Sequence, residues 1–121
     1  MPGVLVAISI PIFTSQLEKA REATDEANIR SIYAQLSADV LTENTSDACP
    51  TAKTFEVKKD DTTGKVTGTA TYVMTQKTDG LVSGTNITIG GVEIASDKFT
   101  TGTATITITD DGKAPTISIA K

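Results

Sequence analysis

The sequence predicts an α+β protein: a long N-terminal α-helix packed on a C-terminal antiparallel β-sheet. Two observations carry that prediction. The hydrophobic period changes near Thr42 from that of a helix to that of a strand. Of 22 threonines, 20 lie from Thr42 onward, a density that suits strands with a hydroxyl-covered solvent face. A chain of 121 residues is long enough for one core. Aromatic residues make up only 4%, so that core is built from Ile, Val, Leu and Ala.

The first element is an apolar run of ten residues, Val4–Phe13, interrupted by Pro11. It is too short to span a bilayer, which takes roughly 20 apolar residues, and too apolar to be left in water without a purpose. Pro11 removes a backbone donor and disfavours helix in the residue before it. From Phe13 to about Glu43 the pattern is helical, with no Pro or Gly inside. Its apolar positions form two stripes. Phe13, Leu17, Ala20 and Ala27, with Thr24 among them, occupy one face. Ile29, Ile32, Tyr33, Leu36 and Val40 lie on nearly the opposite one. The helix is therefore expected to meet one partner with its first half and another with its second. Between the stripes run charge pairs such as Arg21 with Asp25 and Glu26 with Arg30. Each is worth a few tenths of a kcal/mol at most, and they are expected to form a solvated face.

A loop holding Asn44, Cys49 and Pro50 follows, and then the period-two pattern begins. Phe55–Lys58 reads as a strand and Asp60–Lys65 as a polar loop. Val66, Gly68, Ala70, Tyr72 and Met74 alternate with threonines, as in a half-buried strand. Gly90-Gly91 suits a two-residue hairpin turn, which sets Ile89 opposite Val92 and Ile87 opposite Ile94. Asp111-Gly112 as a second turn sets Asp110 across from Lys113, Ile106 across from Ile117 and Ala104 across from Ile119. In both hairpins the register and the apolar face agree.

Composition narrows function by exclusion. Histidine is absent, which removes the usual general base near neutral pH, the commonest zinc ligand and the Ser-His-Asp triad. The single cysteine, Cys49, excludes an intramolecular disulfide and a four-thiolate metal site. Up to Asp47 there are seven acids against Lys19, Arg21 and Arg30, which accounts for the whole net charge of −4. An acidic helix and a neutral remainder argue against nucleic-acid binding, which needs a basic stripe.

Several motifs fail on inspection. "TTGKVT", Thr62–Thr67, lacks the upstream glycine, the hydroxyl after lysine and the helix start of a phosphate loop. "DDGK", Asp110–Lys113, lacks the alternating ligands and closing glutamate of a calcium loop. Asp60 and Asp61 fit a solvated turn better than a calcium contact. Asn44-Thr45-Ser46 and Asn86-Ile87-Thr88 match the glycosylation pattern, a weak signal in a Thr-rich chain. Cys49, with no histidine to activate it, fits a packed or idle thiol better than a nucleophile. No catalytic residue, cofactor site or metal site is expected, and the chain is not expected to be an enzyme.

One stretch resembles a known family. "VAISIPIFTSQLEKAREATDEANIRSIYAQL", Val6–Leu36, is similar to the N-terminal helix of type IV pilins, close to those of Gram-positive bacteria. The marks are the small apolar approach to Pro11, then Ile12-Phe13, then "LEKAREATD" and "ANIRSIYAQ". The match covers about a quarter of the chain; beyond it the likeness is one of layout only. The resemblance implies a fibre subunit that packs with copies of itself through the N-terminal helix into a cell-surface filament for adhesion, motility or biofilm formation. Before assembly such a subunit sits in the cytoplasmic (inner) membrane and is handled by the pilus assembly machinery. The chain departs from the family at its start. Met1-Pro2-Gly3 stands where the leader peptide, its cleavage glycine and the methylated phenylalanine belong, and the nearby glutamate is missing. Residues 1–13 are accordingly read as the remnant of a truncated membrane and assembly segment. Residues 14–121 are read as the headgroup, with the helix over about 13–43 and the sheet over about 54–120. The family's disulfide-closed C-terminal loop is also absent.

With the resemblance in hand, Ile10, Pro11, Ile12, Phe13, Leu17, Ala20 and Ala27 are assigned to the assembly interface. Ile29, Ile32, Tyr33, Leu36 and Val40 are assigned to the helix–sheet core. In the family the region around Pro11 kinks or unwinds to fit the filament. Two other classes compete. A pseudopilin of a type II-like secretion system shares the helix but often carries a calcium site in its C-terminal part, and none is convincing here. An all-β adhesin module would need no apolar stub, and no LPxTG signal is present.

Overall fold

The computed structural model describes the backbone of residues 2–121 and the side chains of residues 16–121. A helix, α1 (Pro2–Leu41), is followed by β1 (Thr54–Lys59), β2 (Val66–Val73), β3 (Ile87–Ile89), β4 (Val92–Ile94), a 3-10 turn (Ser96–Lys98), β5 (Thr103–Thr109) and β6 (Thr116–Ala120). Four strands form one antiparallel sheet in the order β1-β2-β5-β6, and β3-β4 is a separate hairpin inserted between β2 and β5. The arrangement is α+β, with α1 packed against the sheet.

The helix differs from expectation at both ends. It begins at Pro2 rather than Phe13 and runs through Pro11. A proline costs about 3 kcal/mol in a helix interior, a loss confined to one turn, while each flanking residue still propagates the ladder. The helix ends at Leu41 rather than Glu43. There the Asn44 N–H donates to the Asp39 carbonyl at 2.8 Å and the Glu43 N–H to the Val40 carbonyl at 3.3 Å. These two bonds make a Schellman cap, with Glu43 at φ 55° in the left-handed position that glycine usually fills. The side chains of Ile10, Pro11, Ile12 and Phe13 lie outside the described residues. Among the described residues no helix is long and apolar enough to cross a membrane.

Ile29, Ile32, Leu36 and Val40 point into the core and are essentially inaccessible. They share one core with Val57, Val66, Ala70, Tyr72, Ala104 and Ile106 of the sheet and with Phe99, Ile89 and Ile94. Gly68 lets the helix sit this close. A Cβ there would lie 2.7 Å from both Leu36 Cδ1 and Val40 Cγ2. Tyr33 is half-buried at the edge of this core. Its ring covers Gly90, and its hydroxyl donates to the Gly90 carbonyl at 3.2 Å. Gly90 has φ 58°, and any side chain there would collide with that ring, so the turn needs glycine twice over.

The alternation in β2 is as predicted: Val66, Gly68, Ala70, Tyr72 and Met74 are buried, although the strand ends one residue before Met74. In the first hairpin Ile87 pairs with Ile94 and Ile89 with Val92. In the second, Ile106 pairs with Ile117 and Ala104 with Ile119. Its connection is wider than the two-residue turn expected, because pairing stops at Thr107 with Thr116. Pro115 has no N–H to extend the ladder. Asp110 turns to β2 instead of Lys113. Its N–H donates to the Val66 carbonyl at 3.2 Å, and its carboxylate accepts the Val66 N–H at 2.9 Å. Asp60 caps its own loop, accepting the N–H groups of Thr62 and Thr63, and Cys49 is packed in the core.

Candidate functional site: a helix with two committed faces

The stretch Thr75–Gly84 carries no strand periodicity and crosses α1 at Glu18–Asp25 as an irregular segment. Backbone donors in such a segment need partners, and three helix carboxylates supply them. Asp25 is fully buried. It accepts the Thr75 N–H on both oxygens at 2.9 and 3.0 Å and the Gln76 N–H at 2.9 Å. It also accepts the Thr75 and Tyr72 hydroxyls, each at 2.7 Å, and the Asn28 amide donates to that Tyr72 oxygen at 2.9 Å. Glu18 accepts the N–H groups of Lys77 and Thr78 at 3.0 and 3.1 Å and the Thr78 hydroxyl at 3.0 Å. Glu22 accepts the Val82 N–H at 2.7 Å. An ionised carboxylate only accepts, and such charge-assisted bonds are roughly twice as strong as neutral ones. Burial alone would raise the Glu18 pKa. The Thr78 N–H and hydroxyl, Arg21 and the Lys77 N–H outweigh it and hold the carboxyl below its ordinary range.

Sequence reasoning missed this clamp. It read the charges between the stripes as a solvated face, yet Glu18, Glu22 and Asp25 are buried. The expected pair of Arg21 with Asp25 is not formed; Arg21 binds Glu18 at 3.2 Å, because Asp25 is taken by the crossing segment. The pair of Glu26 with Arg30 is present at 2.6 Å. A usable signal lay in the spacing: positions 18, 22, 25, 29, 32 and 36 make one continuous four-three stripe once residue type is ignored.

The segment is tied at its far side as well. Asp79 accepts the Thr101 N–H at 3.0 Å and its hydroxyl at 2.9 Å, and pairs with Lys121. Lys121 and the Thr101 donors lower the Asp79 pKa to about 2. Gln76 spans the interior, its amide donating to the carbonyls of Thr78 at 2.8 Å and Phe99 at 2.9 Å.

The opposite face of the same helix turns is bare. Leu17 is 41% exposed, and Ala20, Thr24 and Ala27 are exposed with it. Ser31, Ala34 and Ala38 continue that exposed line toward the helix end. The structure thus separates Leu17, Ala20 and Ala27 from Ile29, Ile32, Leu36 and Val40 onto two sides of one helix. Among the described residues no group of three His, Cys, Asp or Glu is placed to hold a metal. Compared with protein-family models, curated proteins and solved structures, the chain matches none.

Proposed function

We propose that this protein is the structural subunit of a filament of the type IV pilus kind, assembling with copies of itself through the N-terminal helix. The observation that carries the reading is the bare face of Leu17, Ala20, Thr24 and Ala27. It lies on a helix whose other face is fully committed to its own domain. Small side chains let a second helix approach closely, and an exposed leucine among them adds area to bury. The clamp fits the same reading, because it fixes the direction in which the helix leaves the headgroup. In this proposal the segment containing Ile10–Phe13 lies in the membrane before assembly and in the filament core afterwards. The mature filament stands on the cell surface.

Ala20→Glu and Ala27→Glu test it. Each should change the stability of the isolated protein by no more than about 0.5 kcal/mol, as exposed positions do. In cells that assemble the subunit each should block filament formation by driving a carboxylate into a packed contact. Melting curves of the purified variants and electron micrographs of cells producing them read the two effects. Normal filaments from Ala27→Glu cells, or an unfolded Ala27→Glu monomer, would remove this face from assembly.

A further inference from the structure

Where α1 hands over to the sheet, two carboxyl groups meet. Asp39 is 6% exposed, and its Oδ2 is buried with no hydrogen-bond partner. The carboxyl of Asp47, from the loop that follows the helix, lies beside it, because Asp47 is bound by Gln35, one turn before Asp39 on the same helix face. Asp47 is itself fixed: Oδ2 accepts the Gln35 amide at 3.1 Å and Oδ1 the Ala48 N–H at 2.9 Å. The same Gln35 amide donates to the Ala48 carbonyl at 2.8 Å. Among the described residues no lysine or arginine pairs with either aspartate. Glu43, one turn further along, is turned to Lys59 of β1 at 2.9 Å, and the remaining ionisable group of the loop is the buried thiol of Cys49.

We propose that Asp39 and Asp47 form a proton-sharing pair that latches the loop of residues 42–50 onto the end of α1, closed while one proton is shared between them and loosened as the pH rises and that proton is lost. Two carboxylates in contact repel, and neither can donate to the other. One proton turns the contact into a short O–H···O⁻ bond and neutralises the buried partner. Asp39 is the partner that holds the proton: burial first, and then Asp47, push its pKa up. The contact with Asp39, the Ala48 N–H and Gln35 hold Asp47 down. The sign follows. The contribution of Asp39 is complete at low pH and is lost as the pH rises through its raised value. That of Asp47 is lost as the pH falls through its lowered value. The latch is therefore tightest between the two. Its opening would uncover Cys49, which the loop carries into the core and which is 7% exposed.

Carboxyl carbon NMR titration of the whole chain, with amide exchange at Ala48 across the same pH range, tests this. Asp39 should titrate at higher pH than Asp47, and each curve should inflect at the other's midpoint. Ala48 protection, corrected for intrinsic exchange, should fall about tenfold per unit by which the Asp39 midpoint is raised. In Asp39→Asn that step should vanish. Three results would overturn the latch: Asp39 titrating at or below Asp47, the step persisting in Asp39→Asn, or the Asp39 midpoint dropping when calcium is added. The last would put a cation in the proton's place. The wild-type titration decides the matter even if the variant fails to fold.

Discussion

Two stretches of α1, Glu18–Asp25 and Ile29–Val40, face the same domain with the same spacing and hold it by opposite means. From Ile29 to Val40 the stripe is aliphatic and meets the sheet by packing. From Glu18 to Asp25 it is acidic and meets backbone N–H groups of an irregular segment. The energies are comparable: about 1.5–3 kcal/mol for burying a large aliphatic side chain, and about 1.5–3 kcal/mol net for a hydrogen bond to a charged group. What differs is the manner of failure. Apolar packing weakens with the area lost, wherever in the interface it is lost. A carboxylate that loses its place strands particular donors, and the cost falls on the segment they belong to. A sheet pairs its own backbone internally and needs only apolar cover, whereas a segment without a ladder needs acceptors brought to it.

The largest effect should come from the aliphatic stretch. Leu36→Ala removes a fully buried side chain and should cost about 2–5 kcal/mol. Because the core is shared, the loss should be global, with a lower urea midpoint and an unchanged slope. Asp25→Ala should come next, at about 2–4 kcal/mol, since it leaves the N–H groups of Thr75 and Gln76 without their acceptor. Here the damage should be local. Amide exchange between Thr75 and Val82 should quicken well before that of Ala70 or Ile106. If Asp25→Ala loosens core and segment together, the two stretches are not separate modes of attachment.

Acid sharpens the same contrast. The Glu18 pKa is lowered in the folded protein. Its contribution is therefore present above the pKa of the unfolded chain and is lost as the pH falls through the folded value. The Asp79 tie survives further, until the pH nears about 2. Acidification should therefore free the Lys77–Thr78 end of the segment first and its Thr101 tie last, while the aliphatic stretch stays packed. Exchange measured stepwise in pH would show that order. A Glu18→Gln variant, which cannot ionise, should lose the first step. Simultaneous release at both places would refute the order.

The legible parts of this fold were those in which one residue type repeats with one period. Alternating threonines fixed β2, and paired isoleucines around Gly90-Gly91 and Asp111-Gly112 fixed both registers. The aliphatic stripe named the core face. The acidic stripe was illegible because carboxylates on a helix surface are ordinarily solvated. Only the polar segment Thr75–Gly84, with its unmatched N–H groups, makes them core-facing, and that partner is about 60 residues away in sequence. Helix ends misled for a similar reason. Glutamate gives no stop signal, and the helix stops there only because the next turn closes into a cap. The bare face of Leu17, Ala20 and Ala27 was legible as a face; what covers it is the proposal above.

The smallest effect expected lies at that cap. Glu43 holds φ 55°, a conformation that costs an L-residue roughly 1–2 kcal/mol. Glycine adopts it freely but loses up to about 1 kcal/mol in chain entropy. Glu43→Gly also gives up the pair with Lys59, both side chains of which are about half exposed; such pairs are weak and screened by salt. The balance favours glycine by about 0.5 kcal/mol. The gain should appear as a small rise in urea midpoint at constant slope, larger at high salt, where the lost pair matters less. Lys59→Ala separates the terms: it breaks the pair but keeps the strained backbone, and should be neutral or slightly destabilising. If Glu43→Gly proves the less stable of the two, the ion pair outweighs the strain and the helix end is held by charge. The gain expected here requires instead that the cap bonds of Asn44 and Glu43 hold it, with Glu43 merely tolerated at their centre.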